Sequence, residues 1–280
     1  MTCPLETVPC ALCGRPPQSG DHNFAFGPHR VLRCTCGFWY LTPRLAERDM
    51  IENYRSVAYF EGRHGVGYSS YLAQEATLRR TFSRLVGELA RRGLAGGDLL
   101  EVGCAYGFFL DEARGHFRRR VGTDFSAEAL ARAAPHADAL VLGGVAELPV
   151  EARFDVAALV HVIEHVYDPV SLVRELHARL RPGGALLLAA PDMDAGWRPL
   201  LGRRWPFYKV PEHVSFFSHA SLERLLTLGG FATTERFPYL SYFTLELVGE
   251  KLGRDLPAFC SRVHLPVPAT TAAVLGRKAG

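Results

Sequence analysis

Lysine, long apolar segments and low-complexity sequence are scarce or absent in this chain of 280 residues. Only three of its 32 basic residues are lysines, and the arginines are scattered in pairs and triplets. With a formal net charge of +3, this distribution argues against a dedicated nucleic-acid surface. No apolar segment approaches the roughly 18 residues that a membrane-spanning helix needs. We therefore expect neither nucleic acid nor a membrane as a partner.

The first ten residues, MTCPLETVPC, lack the basic and apolar regions of a secretory signal peptide. We therefore expect a cytoplasmic protein, whose cysteines serve as thiols or metal ligands rather than as disulfides. The hydrophobic content of 48% and the charged content of 22% are those of a globular protein with a sizeable core.

Cysteines are concentrated at the start of the chain, where five of the seven precede residue 37 and four form the segments CALCG and RCTCG. Thiolates in this pattern can close a tetrahedral zinc site. The four candidate ligands are Cys10, Cys13, Cys34 and Cys36. The second pair is one residue shorter than usual, so Cys3, His22 or His29 could replace one ligand. Residues 1–45 are thus predicted to form a zinc-ribbon-like segment with a structural Zn²⁺, because so short a segment cannot be stabilised by burial alone.

From Asp98 onward, strand-like and helix-like segments alternate. The strand-like segments are DLLEVG, RRRVGTDF, ALVLGG, FDVAALVHV and ALLLAAP. Ser126 and Asp168 stand where N-caps of the intervening helices belong. This alternation predicts an α/β fold with a doubly wound, mostly parallel sheet over residues 95–280. Residues 46–94 read as a helical lid or linker, in which Tyr59 and Tyr71 are candidate lid residues.

The segment EVGCAYGFF follows the first of these strands and is rich in small residues. Gly103, Ala105 and Gly107 give G-x-A-x-G, which ends one residue earlier than the dinucleotide pattern G-x-G-x-x-G. No basic residue in the loop could pair with a phosphate, and the acidic Glu101 precedes it. Asp124 follows about 20 residues later, where a carboxylate can accept hydrogen bonds from ribose hydroxyls. The pattern favours a nucleoside with a cationic or amine-bearing tail.

Five segments in order resemble the class I S-adenosylmethionine-dependent methyltransferases: LLEVGCAYGFFL, VGTDFSAEAL, GGVAELP, FDVAALVHVIEHVYDP and LRPGGALLLAAPD. The resemblance implies a Rossmann-like fold and S-adenosylmethionine as cofactor. It implies that the methionine part lies against Glu101, Gly103, Cys104, Ala105, Gly107 and Phe108. It places the ribose at Asp124, the adenine near Phe125, Val145 and Ala146, and the sulfonium beside His161. Ala105 departs from the family's usual middle glycine, and Val145 stands where many relatives carry an acid.

The segment HVIEH, His161 to His165, also matches the H-x-x-E-H pattern of a metalloprotease family. That chemistry needs both histidines on one face of a continuous helix. Here the preceding FDVAALV is strand-like, and Asp168–Pro169 begin the next helix. We therefore reject the metalloprotease interpretation and expect Glu164 and His165 to shape a turn.

An aromatic-rich segment, residues 193–218, follows the last matched strand and is predicted to be a substrate cap. The ribbon and this cap resemble a branch that includes zinc-bearing sugar C-methyltransferases, where a similar E-H pair is thought to be catalytic. That resemblance implies His213 as general base, then Glu212, with Tyr208 as proton donor or orienter and His161 beside the reaction. The structural alternative is that His213 is a buried hydrogen-bonding residue and the aromatic residues fill a core.

The sequence therefore predicts a methyltransferase for a small-molecule acceptor, such as a sugar nucleotide or a natural-product precursor, with C- and O-methylation both open. The alternatives are an RNA or protein methyltransferase whose ribbon recognises the macromolecule, and a non-catalytic binding module. A homodimer is a further expectation.

Overall fold

The computed structural model describes residues 4–55, 71–251, 254 and 256–280 of the chain. Its N-terminal part contains short strands and one helix: β1 (Leu5–Glu6), β2 (Asn23–Phe26), β3 (His29–Arg33), β4 (Trp39–Leu41), β5 (Arg44–Leu45) and α1 (Glu47–Arg55). Gly14 and Gly37 follow the two cysteine pairs with φ of +74° and +90°. Their amides donate to the carbonyls of Cys10 and Cys34, so each cysteine pair ends in a tight turn.

The rest of the chain alternates strands and helices. In order, the elements are α2 (Glu75–Arg91), β6 (Asp98–Val102), α3 (Phe108–Glu112), β7 (Arg119–Asp124), α4 (Ala127–Ala133), β8 (Ala139–Leu142), β9 (Phe154–Val160), α5 (Pro169–Arg179), β10 (Leu180–Pro191), α6 (Trp197–Leu201), β11 (Ser215–Phe216), α7 (His219–Leu228), β12 (Thr233–Arg236), β13 (Ser241–Thr244), α8 (Leu245–Lys251), β14 (His264–Val267) and β15 (Thr271–Arg277).

Seven of these strands form the central sheet, in the order β12-β15-β10-β9-β6-β7-β8. The five strands from β10 to β8 are parallel, and β15 runs antiparallel to both of its neighbours. Successive side chains of a strand point to opposite faces, so Leu99 and Leu100 enter two different cores, one on each face. The predicted α/β, doubly wound and mostly parallel sheet is confirmed.

Local signals place the helix starts correctly. The Ser126 hydroxyl accepts the amide of Ala129 at 3.2 Å, and the Asp168 carboxylate accepts the amide of Ser171 at 3.0 Å. Helix α3 is short, since it ends at Glu112 and Gly115 then takes a φ of +78°. Strand β10 begins directly at Leu180, before the predicted ALLLAAP.

The ribbon sheet includes a strand from the cap. Its order is β11-β4-β3-β2, with Ser215 opposite Tyr40 and Phe216 opposite Trp39. Cap and ribbon also share a small apolar core, which holds Val31, Trp39, Met193, Trp205 and Phe216. The ribbon is therefore joined to the sheet-bearing part by the segment that directly follows His213.

A hairpin of β13 and β14, with α8 between them, was not predicted. It packs beside α2, where the amide of Tyr242 donates to the hydroxyl of Thr81 at 3.1 Å. Among the described residues, no helix has both the length and the apolar character needed to cross a lipid bilayer.

Candidate functional site

A cavity of about 370 Å³ opens where strands β6, β7 and β9 end. Ligands of open parallel sheets bind at this carboxyl edge, and the volume lies within the range of small-molecule sites. Six of the predicted site residues line it: Gly103, Ala105, Asp124, Phe125, Val145 and His161. Residues predicted to bind the methionine part, the ribose and the adenine of the cofactor thus line one cavity.

The loop after β6 is held in a left-handed conformation. Gly103, Ala105 and Gly107 have φ of +71°, +48° and +77°. A Cβ on Gly103 would lie 2.6 Å from a methyl carbon of Val162, so only glycine fits there. Ala105 lacks that freedom, and its conformation costs roughly 1–2 kcal/mol. Its amide donates to Asp124 at 2.9 Å, which stabilises the loop.

Asp124, at the end of β7, anchors both sides of the cavity. One carboxylate oxygen accepts the amide of Ala105 and the other accepts the amide of Ser126, each at 2.9 Å. Burial raises the pKa of Asp124, although these amide bonds oppose the shift. An ionised carboxylate can accept about four hydrogen bonds, so each oxygen can take one more. Asp124 is therefore equipped to hold two neighbouring hydroxyls.

Glu101 is a buried acid beneath the loop, with only 5% of its surface exposed. Burial raises its pKa well above the usual value, and the nearby charge of Asp124 raises it further. Its Oε2 has no hydrogen-bond partner among the described residues. A cationic or amine-bearing ligand would stabilise the ionised form of this carboxylate.

Acidic side chains predominate in the lining of the cavity. Its lining includes the carboxylates of Glu47, Asp124, Asp168 and Glu175, and within the described part of the chain it includes no lysine or arginine. Such a surface attracts cations. It suits a sulfonium with an ammonium group and offers no lysine or arginine to a phosphate.

The other predicted cofactor residues do not line the cavity, namely Glu101, Cys104, Gly107, Phe108 and Ala146. Cys104 packs against β7, since a Cβ on Gly122 would lie 2.7 Å from its sulfur. Phe108 stacks on the buried Tyr71 at 5.5 Å between ring centroids. Gly107 begins α3, and Ala146 is exposed. Tyr71 is thus a core residue, whereas Tyr59 lies outside the described residues.

His161 follows β9 and lines the cavity in a left-handed conformation, with φ of +58°. Such a conformation is costly for a side-chain-bearing residue and is concentrated at functional sites. Its Nε2 lies 3.2 Å from the hydroxyl of Tyr239, and its Nδ1 lies 3.4 Å from Oε1 of Glu164. His161 therefore has both ring nitrogens engaged at the cavity wall.

The HVIEH segment is a turn and not a helix. Only Ile163–His165 are helical, as one 3₁₀ turn, so the geometry of the metalloprotease pattern is absent there. His165 lines the cavity, and its Nδ1 lies 3.2 Å from the carbonyl of Glu212. Sequence reasoning assigned His165 to turn formation alone and missed its position at the cavity.

The three candidate residues from the cap do not line the cavity. His213 lies behind His165, with ring centroids 4.7 Å apart, and burial lowers its pKa well below the usual value, as do His165 and Lys209. Its Nδ1 lies 2.9 Å from the carbonyl of Phe207. Glu212 is 4% exposed, and Tyr208 packs on Phe24 at the boundary with the ribbon. Their catalytic roles stay predictions.

The four cysteines of the ribbon converge, with all sulfurs within 4.8 Å of one another. The sulfurs of Cys10 and Cys36 are 3.7 Å apart, and those of Cys13 and Cys34 are 3.4 Å apart. Zn–S bonds of about 2.3 Å in a tetrahedron require separations of roughly 3.8 Å. These residues fit a zinc ion.

The alternative zinc ligands are placed elsewhere or fall outside the described chain. His29 bonds the carbonyl of Pro43 at 2.9 Å. His22 packs edge-on against Phe24 and Trp39. Cys3 lies outside the described residues.

Several cavity residues were missed by sequence reasoning. Gly143 and Gly144 follow β8 and begin the segment GGVAELP. This segment could have indicated them, because two glycines allow a cofactor to approach the backbone closely. Glu47 and Ile51 reach the cavity from α1, and Ser171 and Glu175 from α5. Nothing local in the sequence marks these four as ligand-facing.

Comparisons with known proteins show the family of this chain. Residues 73–236, more than half of the chain, match the family described as a methyltransferase domain. A probable S-adenosylmethionine-dependent methyltransferase of Mycolicibacterium smegmatis is 35% identical over 164 residues, which cover 57% of this chain and 61% of that protein. A ubiquinone biosynthesis O-methyltransferase of Nitrobacter winogradskyi is 32% identical over 111 residues, covering 38% and 42%. The chain thus spans about two fifths to three fifths of these relatives.

Solved structures share the fold. An S-adenosylmethionine-dependent methyltransferase of Thermotoga maritima gives a TM-score of 0.54 at 20% identity, covering 83% of this chain and 100% of that one. Magnesium protoporphyrin IX methyltransferase of Synechocystis, with bound S-adenosylhomocysteine, gives 0.53 at 14% identity, covering 83% and 99%. The sheet order, the glycine loop, Asp124 and the matched family together identify the chain as a member of the class I S-adenosylmethionine-dependent methyltransferases.

Proposed function

We propose that this protein transfers the methyl group of S-adenosylmethionine to a hydroxyl of a small molecule. The observation that carries the proposal is the cavity at the carboxyl edge, which combines a left-handed glycine loop, the acceptor carboxylate of Asp124 and an excess of negative charge. This combination matches a nucleoside whose tail is cationic, which is the chemistry of that cofactor.

Different residues would bind different parts of the cofactor. Asp124 would accept two ribose hydroxyls, Phe125, which is 39% exposed, would cover the adenine, and the loop from Gly103 to Ala105 would lie along the methionine part. Glu101, which does not line the cavity, would stabilise the ammonium group through its charge. When bound, the cofactor supplies an activated methyl group, so the protein must position an acceptor oxygen roughly 3–3.5 Å from that carbon.

His161 is the residue that we propose takes the acceptor proton. It lines the cavity, and its Nε2 would take the proton in place of its contact with the Tyr239 hydroxyl, while the contact of Nδ1 with Glu164 would stabilise the protonated ring. General-base catalysis of this kind contributes typically 10²–10⁴-fold. The predicted bases His213 and Glu212 would act through His165, because their own side chains do not line the cavity.

For the acceptor, the four carboxylates and the lack of lysine and arginine in the described lining favour an uncharged or cationic precursor of a natural product over a sugar nucleotide. A pyrophosphate would bring two negative charges toward four carboxylates. The O-methyltransferase name of one relative supports oxygen as the acceptor atom. For the ribbon, we propose a structural Zn²⁺ on Cys10, Cys13, Cys34 and Cys36, supported by the convergence of the four sulfurs.

The experiment is calorimetric titration with S-adenosylmethionine, followed by assays of S-adenosylhomocysteine release with panels of hydroxylated small molecules, sugar nucleotides and RNA. The proposal expects one cofactor per chain and product release only with the hydroxylated small molecules. A folded protein that binds no cofactor would support the non-catalytic alternative. Release with RNA or with sugar nucleotides alone would overturn the acceptor class.

A further inference from the structure

A carboxylate and two imidazoles meet at the back of the cavity. Ligand atoms of Glu164, His165 and His213 all lie within 4.8 Å of one another. Glu164 and His165 belong to the 3₁₀ turn after β9, and His213 comes from the cap. The amide of Val214 donates to the carbonyl of Glu164 at 3.0 Å, which holds the two segments together.

Of the three side chains, Glu164 is the one whose burial the surrounding contacts explain least. It is 1% exposed, and its Oε2 has no hydrogen-bond partner within the described part of the chain. Its Oε1 lies 3.4 Å from Nδ1 of His161. Leaving a buried polar atom unsatisfied costs about 1–3 kcal/mol, and more when the group is charged. A bound cation would remove that cost.

The Nδ1 atoms of both histidines contact backbone carbonyls, which is the contact that metal-binding histidines make with their other nitrogen. Nδ1 of His213 lies 2.9 Å from the carbonyl of Phe207, and Nδ1 of His165 lies 3.2 Å from the carbonyl of Glu212. A carbonyl can only accept, so both rings carry a proton on Nδ1 and present Nε2 as an acceptor. Metal-ligating histidines almost always donate their other ring N–H to such a partner.

We propose that Glu164, His165 and His213 bind a divalent transition-metal ion, of the Zn²⁺ or Mn²⁺ class, at the cavity wall. Two imidazoles and one carboxylate form a donor set that such ions accept with positions left for other ligands. Metal–ligand bonds of 2.0–2.2 Å bring donor atoms to within about 4 Å of one another, so the three side chains close slightly around the ion.

The ion would deepen the proposed function, on which this inference rests, because His165 lines the cavity. An acceptor hydroxyl on the ion would become more acidic, and its proton would pass to His161. The oxygen then bonds to the methyl carbon while the carbon–sulfur bond breaks. The electron pair stays on sulfur, which leaves neutral S-adenosylhomocysteine, and the methylated acceptor departs.

The test counts metal ions on the full chain, stripped with chelator and titrated with Co²⁺. We expect two ions per chain, one with the thiolate charge-transfer bands of the cysteine site and a weaker one without them. Glu164→Gln should lose the second ion and keep the first. Cys13→Ser should affect only the first, and Glu175→Gln, at a cavity carboxylate outside the cluster, should keep both.

One ion per chain at saturating Co²⁺, or a second ion retained in Glu164→Gln, would overturn the proposal. Circular dichroism checks folding, and His165→Gln is the second variant if Glu164→Gln does not fold. Calorimetry with S-adenosylhomocysteine separates this inference from the proposed function. If S-adenosylhomocysteine binds to the wild-type protein but no second ion does, only the metal-site proposal is refuted. If the wild-type protein does not bind S-adenosylhomocysteine, the proposed function itself is refuted.

Discussion

Replacing Asp124 by alanine should abolish tight cofactor binding. The side chain accepts the amides of Ala105 and Ser126, and we assign its remaining acceptor positions to two ribose hydroxyls. Hydrogen bonds to a charged group contribute about 1.5–3 kcal/mol each, so two lost bonds amount to about 3–6 kcal/mol. At 1.4 kcal/mol per tenfold change, the dissociation constant should rise by about 10²–10⁴-fold.

The assay is isothermal titration with S-adenosylhomocysteine, accompanied by thermal unfolding. Asp98→Ala is the matched control, since Asp98 is also a buried aspartate, bonded to Arg118 and Arg181, but lies at the opposite end of β6. It should lower the unfolding temperature and leave affinity within a factor of three. Asp124→Asn should fall between alanine and wild type, because its amide keeps one acceptor oxygen. A folded Asp124→Ala protein with near-normal affinity would refute the ribose assignment.

Three further predictions concern other parts of the account. Because Glu101 has a raised pKa in the empty protein, cofactor affinity should increase as pH rises through that pKa, while the stability of the empty protein should fall over the same range. Glu101→Gln should flatten both pH profiles, measured by calorimetry and chemical denaturation, and unchanged profiles would contradict the role of Glu101. Gly103→Ala should weaken cofactor binding at least tenfold and cost about 1–3 kcal/mol of stability, with partial rescue by Val162→Ala, since the new Cβ meets Val162 at 2.6 Å. Cys34→Ser should remove the tightly bound metal, measured by elemental analysis, and lower the unfolding temperature while cofactor affinity stays unchanged; full zinc content in this variant would argue against the cysteine site.

The sequence predicted well wherever a local signal decides the structure. Ser126 and Asp168 cap helices because the hydroxyl or carboxylate satisfies an amide three residues away. The interior strands are apolar on both faces, which is the signature of a parallel sheet covered by helices. The glycine loop and Asp124 were found because each stands at the carboxyl end of a strand, so their convergence follows from topology.

The features that escaped prediction depend on contacts between distant segments. Strand β11 is only two residues long, and it exists because Ser215 and Phe216 pair with β4, some 175 residues earlier. His213 was predicted as general base, with a buried structural role as the alternative, and its position behind His165, outside the cavity lining, depends on how the cap packs. The sequence predicted Glu164 only as a turn residue, because nothing in the neighbouring sequence indicates that His213 of the cap lies beside it. Neither the hydrophobic pattern nor the capping residues indicate such contacts between distant segments.

A crystal structure with S-adenosylhomocysteine tests the central claim most directly. The account predicts the ribose hydroxyls within hydrogen-bond distance of both oxygens of Asp124, the adenine between Phe125 and Val145, and the sulfur beside His161. Density for the ligand at any other place, or a cavity that stays empty at millimolar ligand, would contradict the assignment of this cavity as the cofactor site.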